Sequence, residues 1–173
     1  MTYLESAADV SEDGLYRYWL SRQLSVGERT VLFVGLNPST ADALQDDPTI
    51  RRCAGFARAW GYNRLFMGNL NAWRATDPKQ LPTDPLAAVG PLNQEALKWM
   101  MHRSDLVVAA WGGHTLNSYA RTLAAAIRRF PKTMCLGSTK NGSPKHPLYL
   151  AATTPLQYLR TETAPGLSAP ASS

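Results

Sequence analysis

The chain has 173 residues, of which 45% are hydrophobic and 18% charged, a folded globular composition that excludes a disordered or fibrous protein. That length supports one domain with a substantial core. The formal charge is +5 and the basic residues are spread along the chain, so a polyanionic partner is compatible with the charge without being demanded by it.

No apolar run approaches the roughly 20 residues that span a bilayer. The N-terminus, MTYLESAADVSEDG, has no basic n-region and no apolar h-region, so no signal peptide is expected. A cytoplasmic monomer without a membrane partner follows as the expectation. Cys53 and Cys135 lie far apart and lack CxxC spacing. They are expected as two buried thiols, not as a metal site or a disulfide framework.

Leu15 to Leu24 is aromatic-rich and precedes Gly27, which predicts an edge strand. Thr30 to Gly35 is a continuous apolar run closed by glycine, the pattern of a central strand buried on both faces. Asp47 then caps a helix that Pro48 opens and that ends at Trp60-Gly61, with Ile50, Cys53, Ala54 and Ala57 on one face. Arg64 to Leu70 is a second strand. Its exit, NLNAWRATDP, leads through a proline-rich connection to a helix over Leu92 to His102. Asp105 to Trp111 is a third buried strand. Thr115 or Asn117 starts a helix to Phe130, with Leu123, Ala126, Ile127 and Phe130 on its inner face. Thr133 to Gly137 is a short fourth strand. Residues 1–160 are read as one domain, and the tail from Thr161, rich in small residues and proline, as disordered.

Alternating strands and helices predict an α/β class, with three layers (α/β/α) around a central, mostly parallel four-stranded sheet. Ligands of such sheets sit outside the carboxyl ends of the strands. The unusual polar loops all leave strands at that end: Gly35 to Thr40, Asn69 to Arg74, Gly112 to His114 and Ser138 to His146. There is no P-loop, no GxGxxG, no GxSxG elbow and no HExxH. Asp46-Asp47 as a Mg²⁺ site is the weaker alternative to a helix start, and no metal or cofactor is expected. Taken singly, GLNPST favours a turn and His146-Pro147 a packed turn histidine.

The two loops together change this balance. GLNPS after the first central strand and HPL after the last resemble the two motifs of the uracil-DNA glycosylase superfamily, of the types GINPG and HPS. GNLNAW resembles an asparagine-rich segment of another branch. The resemblance covers roughly Val31 to Leu150 and implies a glycosylase-like fold, with Asn37 and His146 at the catalytic positions. HPL lacks the serine of HPS, and Ser39 stands where glycine is usual. The absence of a cysteine cluster departs from the iron–sulfur branches. GLNPSTAD, DDPTIRR and NLNAWRATDP also resemble, more closely, a bacterial family of unknown function, DUF1643, which brings no established activity.

The resemblance implies hydrolysis of the N-glycosidic bond of uracil or another modified base in DNA. His146 would donate to the leaving base and Asn37 would position water, since an amide is not a base near neutral pH. Gly35, Leu36, Pro38, Ser39, Asn69, Asn71, Trp73 and His114 are candidates for contacts with the base. Arg51, Arg52, Lys140 and Lys145 are candidates for phosphates, and Leu148 for a wedge into the stack. A glycosylase-like domain for a nucleotide or small glycoside, or a non-catalytic nucleic-acid-binding module, are the alternatives.

Overall fold

Alternate side chains of the first buried strand face opposite ways, and both directions meet apolar partners. In β3 (Thr30–Gly35), Val31 and Phe33 join one buried cluster while Leu32 and Val34 join another. Fully burying each such side chain contributes about 1.5–3 kcal/mol. The chain is described here from a computed structural model, over residues 2–159. The tail expected to be disordered lies outside the described residues.

The remaining elements are β1 (Glu5–Val10), β2 (Arg17–Gln23), α1 (Pro48–Ala59), β4 (Arg64–Asn69), α2 (Pro85–Val89), α3 (Asn93–His102), β5 (Leu106–Ala109), α4 (Ser118–Arg129), β6 (Thr133–Cys135) and β7 (Gln157–Tyr158). They form one sheet in the order β1-β2-β4-β3-β5-β6-β7. Helix α1 covers one face through Ile50, Cys53, Ala54, Phe56 and Ala57. Residues of α2, α3 and α4 cover the other, including Val89, Leu97, Met100, Leu123 and Ile127. Cys53 and Cys135 are both free and buried.

The α/β class holds, but the sheet differs from the expected one. Among the described residues it has seven strands rather than four, and it is mixed rather than mostly parallel. Strands β4, β3, β5 and β6 pair in parallel. Three further pairings, at the edges, are antiparallel. β2 was expected as an edge strand, yet β1 covers it. β1 escapes a sequence reading because ESAADV is polar and largely exposed, so its pairing is a backbone matter.

Helix starts follow the local chemistry. Asp47 accepts from Ile50 N at 2.8 Å, and Asn117, not Thr115, caps α4 by accepting from Ala120 N at 2.8 Å. Asp84 caps the unexpected α2 in the same way, within what reads as a proline-rich connection. On α4, Ala124 rather than Ala126 faces the core, and Ala126 is exposed.

From β3 the chain crosses to β4 on one side, then returns to place β5 on the other. The connections therefore diverge between β3 and β5. That divergence opens a crevice at the carboxyl ends of these two strands.

Candidate functional site

Leu36 and Asn37, leaving β3, and Trp111 to His114, leaving β5, line opposite sides of that crevice. The cleft has a volume of about 450 Å³, within the range for small organic ligands. His146, Leu148 and Tyr149 close it from the segment after β6, and Thr49 enters from the first turn of α1. No carboxylate lines it among the described residues.

Asn37 is held by its own amide. Its Nδ2 donates to Ala75 O at 2.7 Å and to Pro38 O at 3.2 Å. Two carbonyls on the nitrogen settle which end of the amide is which. Its Oδ1 receives no hydrogen bond from the described residues, so the carbonyl end is the one left for a ligand. An aspartate here would set an oxygen against two carbonyl oxygens, which is why this loop takes the amide.

His146 caps the short turn Pro147–Tyr149: its Nδ1 accepts from Leu148 N at 3.3 Å. That contact selects the neutral tautomer with the proton on Nε2. Burial lowers the His146 pKa; Asp47 opposes this and His114 adds to it. Gly112, at φ +77°, sits between the two histidines: a Cβ there would lie 3.6 Å from His146 Cβ and 3.9 Å from His114 Cδ2. The site thus sets the Asn37 carbonyl and the neutral His146 N–H in one cleft whose described lining holds no carboxylate.

A depressed histidine pKa has a sign in stability. Below the ordinary value of 6.5, the unfolded chain binds the proton before the folded one does, so stability falls as pH falls. Thermal melting is expected to show this decline from pH 6.5 downward, through the depressed folded pKa. His146→Gln should flatten it, and an unchanged slope would contradict the assignment.

The other candidates divide sharply. Leu36, His114, Lys145 and Leu148 line the main cleft with Asn37 and His146. Asn69 and Asn71, expected between those two, do not. Asn71 is buried, donates to Leu36 O at 3.3 Å and accepts from Asn117 Nδ2 at 2.9 Å. It borders a separate cleft behind Leu36. Asn69 packs over Gly35, where a Cβ would come 2.7 Å from its Oδ1. Its buried amide has no partner among the described residues. Asn93 fastens this strand exit by donating to Asn69 O and Leu70 O. Gly35 is therefore a close-approach position and does not line the cleft.

Trp73 meets Tyr16 edge-on at 5.4 Å and lines none of the three clefts, so it offers no stacking ring there. Pro38 is buried with its carbonyl engaged, and Ser39 lines none of these clefts. Arg51 donates to Asp46 O at 2.8 Å, Arg52 lies over the Phe56 ring at 5.1 Å, and Lys140 is exposed and lines none of the three clefts. Asp46 is paired with Arg22, and Asp47 is a helix cap. No cluster of metal-ligating residues occurs among the described residues.

Thr49, Thr76, Thr139 and Trp111 also line the cleft. Of these, Thr49 was accessible to sequence reasoning, since a residue just after Asp47-Pro48 stands at a helix start. Asn117 joins the α4 cap to Asn71. Asn117→Ala removes the cap and leaves buried Asn71 without its donor, an expected loss of about 2–3 kcal/mol in urea unfolding.

None of the described helices is long and apolar enough to cross a membrane. No curated protein and no solved structure matches the chain. A family model for a protein of unknown function, DUF1643, matches residues 17–148. That span runs from β2 to the wall of the cleft at Leu148 and covers well over half of the chain, which therefore belongs to the DUF1643 family.

Proposed function

We propose that the chain is a glycosylase-like enzyme that hydrolyses the N-glycosidic bond of uracil or another modified base in DNA. One observation carries this reading: Asn37 and His146 line the same cleft, each with the opposite hydrogen-bonding function left over. Breaking a glycosidic bond builds negative charge on the leaving base and positive charge on the sugar. A neutral Nε2–H donor opposite the base stabilises the first. Asn37 Oδ1 orients water and offers a partial negative charge near the second. With no carboxylate in the lining among the described residues, leaving-group stabilisation and positioning supply the catalysis.

Oligonucleotides carrying uracil, hypoxanthine, xanthine or ethenocytosine test the reading through the appearance of abasic sites. Release of none of these bases at stoichiometric protein would sink it for DNA. A second reading, action on a nucleotide or small glycoside, draws on one feature. Of Arg51, Arg52, Lys140 and Lys145, Lys145 alone lines the main cleft. A small ligand needs fewer backbone contacts than a bound strand.

A further inference from the structure

A second cleft, of about 320 Å³, shares Trp111 and His114 with the main one. It lies between α4 and the loop after β6. The geometry points to a phosphate-binding subsite here, built around Arg121 and Arg128 and continuous with the main cleft. It rests on the main cleft as the place of the base, and it adds which residues hold the phosphate next to that base.

Arg121 and Arg128 are seven residues apart on α4, hence on one face and about 10 Å apart along the axis. Each guanidinium is aimed by a carbonyl. Arg121 Nη2 donates to Leu116 O at 3.2 Å, and Arg128 Nη2 to Gly142 O at 3.1 Å. The Arg128 guanidinium carbon also lies 5.7 Å from the Trp111 ring centre, on the wall between the two clefts. Arg121 has no ion pair with a described residue.

Donors complete the lining. Asn141 Oδ1 is taken by Thr139 Oγ1 and Ser143 N, so its amide nitrogen is the end left over. Thr115 and His114 also line it. No Asp or Glu lines this cleft among the described residues. Two arginines line it together with hydroxyl and amide donors. They suit a phosphate, whose several acceptor oxygens take forked donors from arginine. A nucleotide whose base enters the main cleft would turn its phosphate past His114 into this one.

Calorimetric titration of the whole chain with inorganic phosphate, a nucleoside, its 5′-monophosphate and a dinucleoside monophosphate tests the subsite. At least one phosphate-bearing nucleotide should bind about tenfold or more tighter than the nucleoside, a difference of about 1.4 kcal/mol. A tighter monophosphate assigns a terminal phosphate, and a tighter dinucleoside assigns a strand. Arg121→Gln and Arg128→Gln should each remove most of that advantage and leave nucleoside affinity unchanged within about twofold. Arg128→Gln loses its ring contact, so melting checks its fold; exposed Arg121→Gln keeps the test intact if it unfolds. Equal binding of all probes, or no phosphate-dependent binding at millimolar concentration, would overturn the subsite, as would an advantage surviving both substitutions. Base release without a phosphate advantage sinks the subsite alone. A phosphate advantage without base release sinks only the glycosidic reading.

Discussion

His146→Ala is expected to reduce base release by about 10²–10³-fold, the usual cost of removing a positioned donor to developing charge. The reason is local. Leu148 N–H occupies Nδ1, so Nε2–H is the only polar atom the ring has left for a ligand. Alanine removes that donor and also uncaps the turn Pro147–Tyr149. Melting must therefore accompany the kinetics. His146→Gln separates the two effects, since its amide can donate at a similar reach. Partial recovery of rate with glutamine supports the donor role. A wild-type rate in His146→Ala, in a folded protein, would remove His146 from the chemistry. Asn37→Ala is less clean, because it also cuts the ties to Ala75 and Pro38.

Arg22→Ala is expected to cost about 3–5 kcal/mol and to lower the melting temperature by roughly 6–20 °C. Arg22 is almost wholly buried. Its Nε meets Asp46 Oδ1 at 3.0 Å, and its Nη2 donates to Asp42 O at 2.6 Å. Removing it strands the Asp46 carboxylate against Tyr3, whose hydroxyl donates to it at 2.5 Å. Burial and that hydrogen bond push the Tyr3 pKa up to about 12. The pair anchors the loop between β3 and α1, which carries Asn37 at one end and Thr49 just beyond the other. Equilibrium unfolding of Arg22→Ala, Asp46→Asn and the double variant measures the coupling. If the double variant is no more stable than the sum of the two singles predicts, the two groups do not act as a pair.

The loops at the sheet edge were legible because strand ends announce themselves. TVLFVG and DLVVAAW are apolar runs closed by glycine, and a parallel sheet must bind at its carboxyl edge. Asp47-Pro48 marked its helix for an equally local reason. Asn69 and Asn71 do not stand between Asn37 and His146, because an amide in a sequence shows what it can bond, not what it does bond. Asn71 spends its hydrogen bonds on Leu36 O and on Asn117, which caps α4 as its place before the helix predicts. Trp73 is not in the cleft because an aromatic after a strand can turn either way, and this one packs edge-on against Tyr16.

By itself, the sequence determined the α/β class, the buried parallel strands and the two loops that carry Asn37 and His146. These follow from periodicity, glycine and proline, which act within a few residues. Only the tertiary structure decided that the described residues form seven strands of one sheet, that both side chains line one cleft, and that Arg121 and Arg128 adjoin it. Edge pairing uses backbone groups that every residue possesses, and side chains more than a hundred positions apart become neighbours only when the sheet order brings their strand ends together.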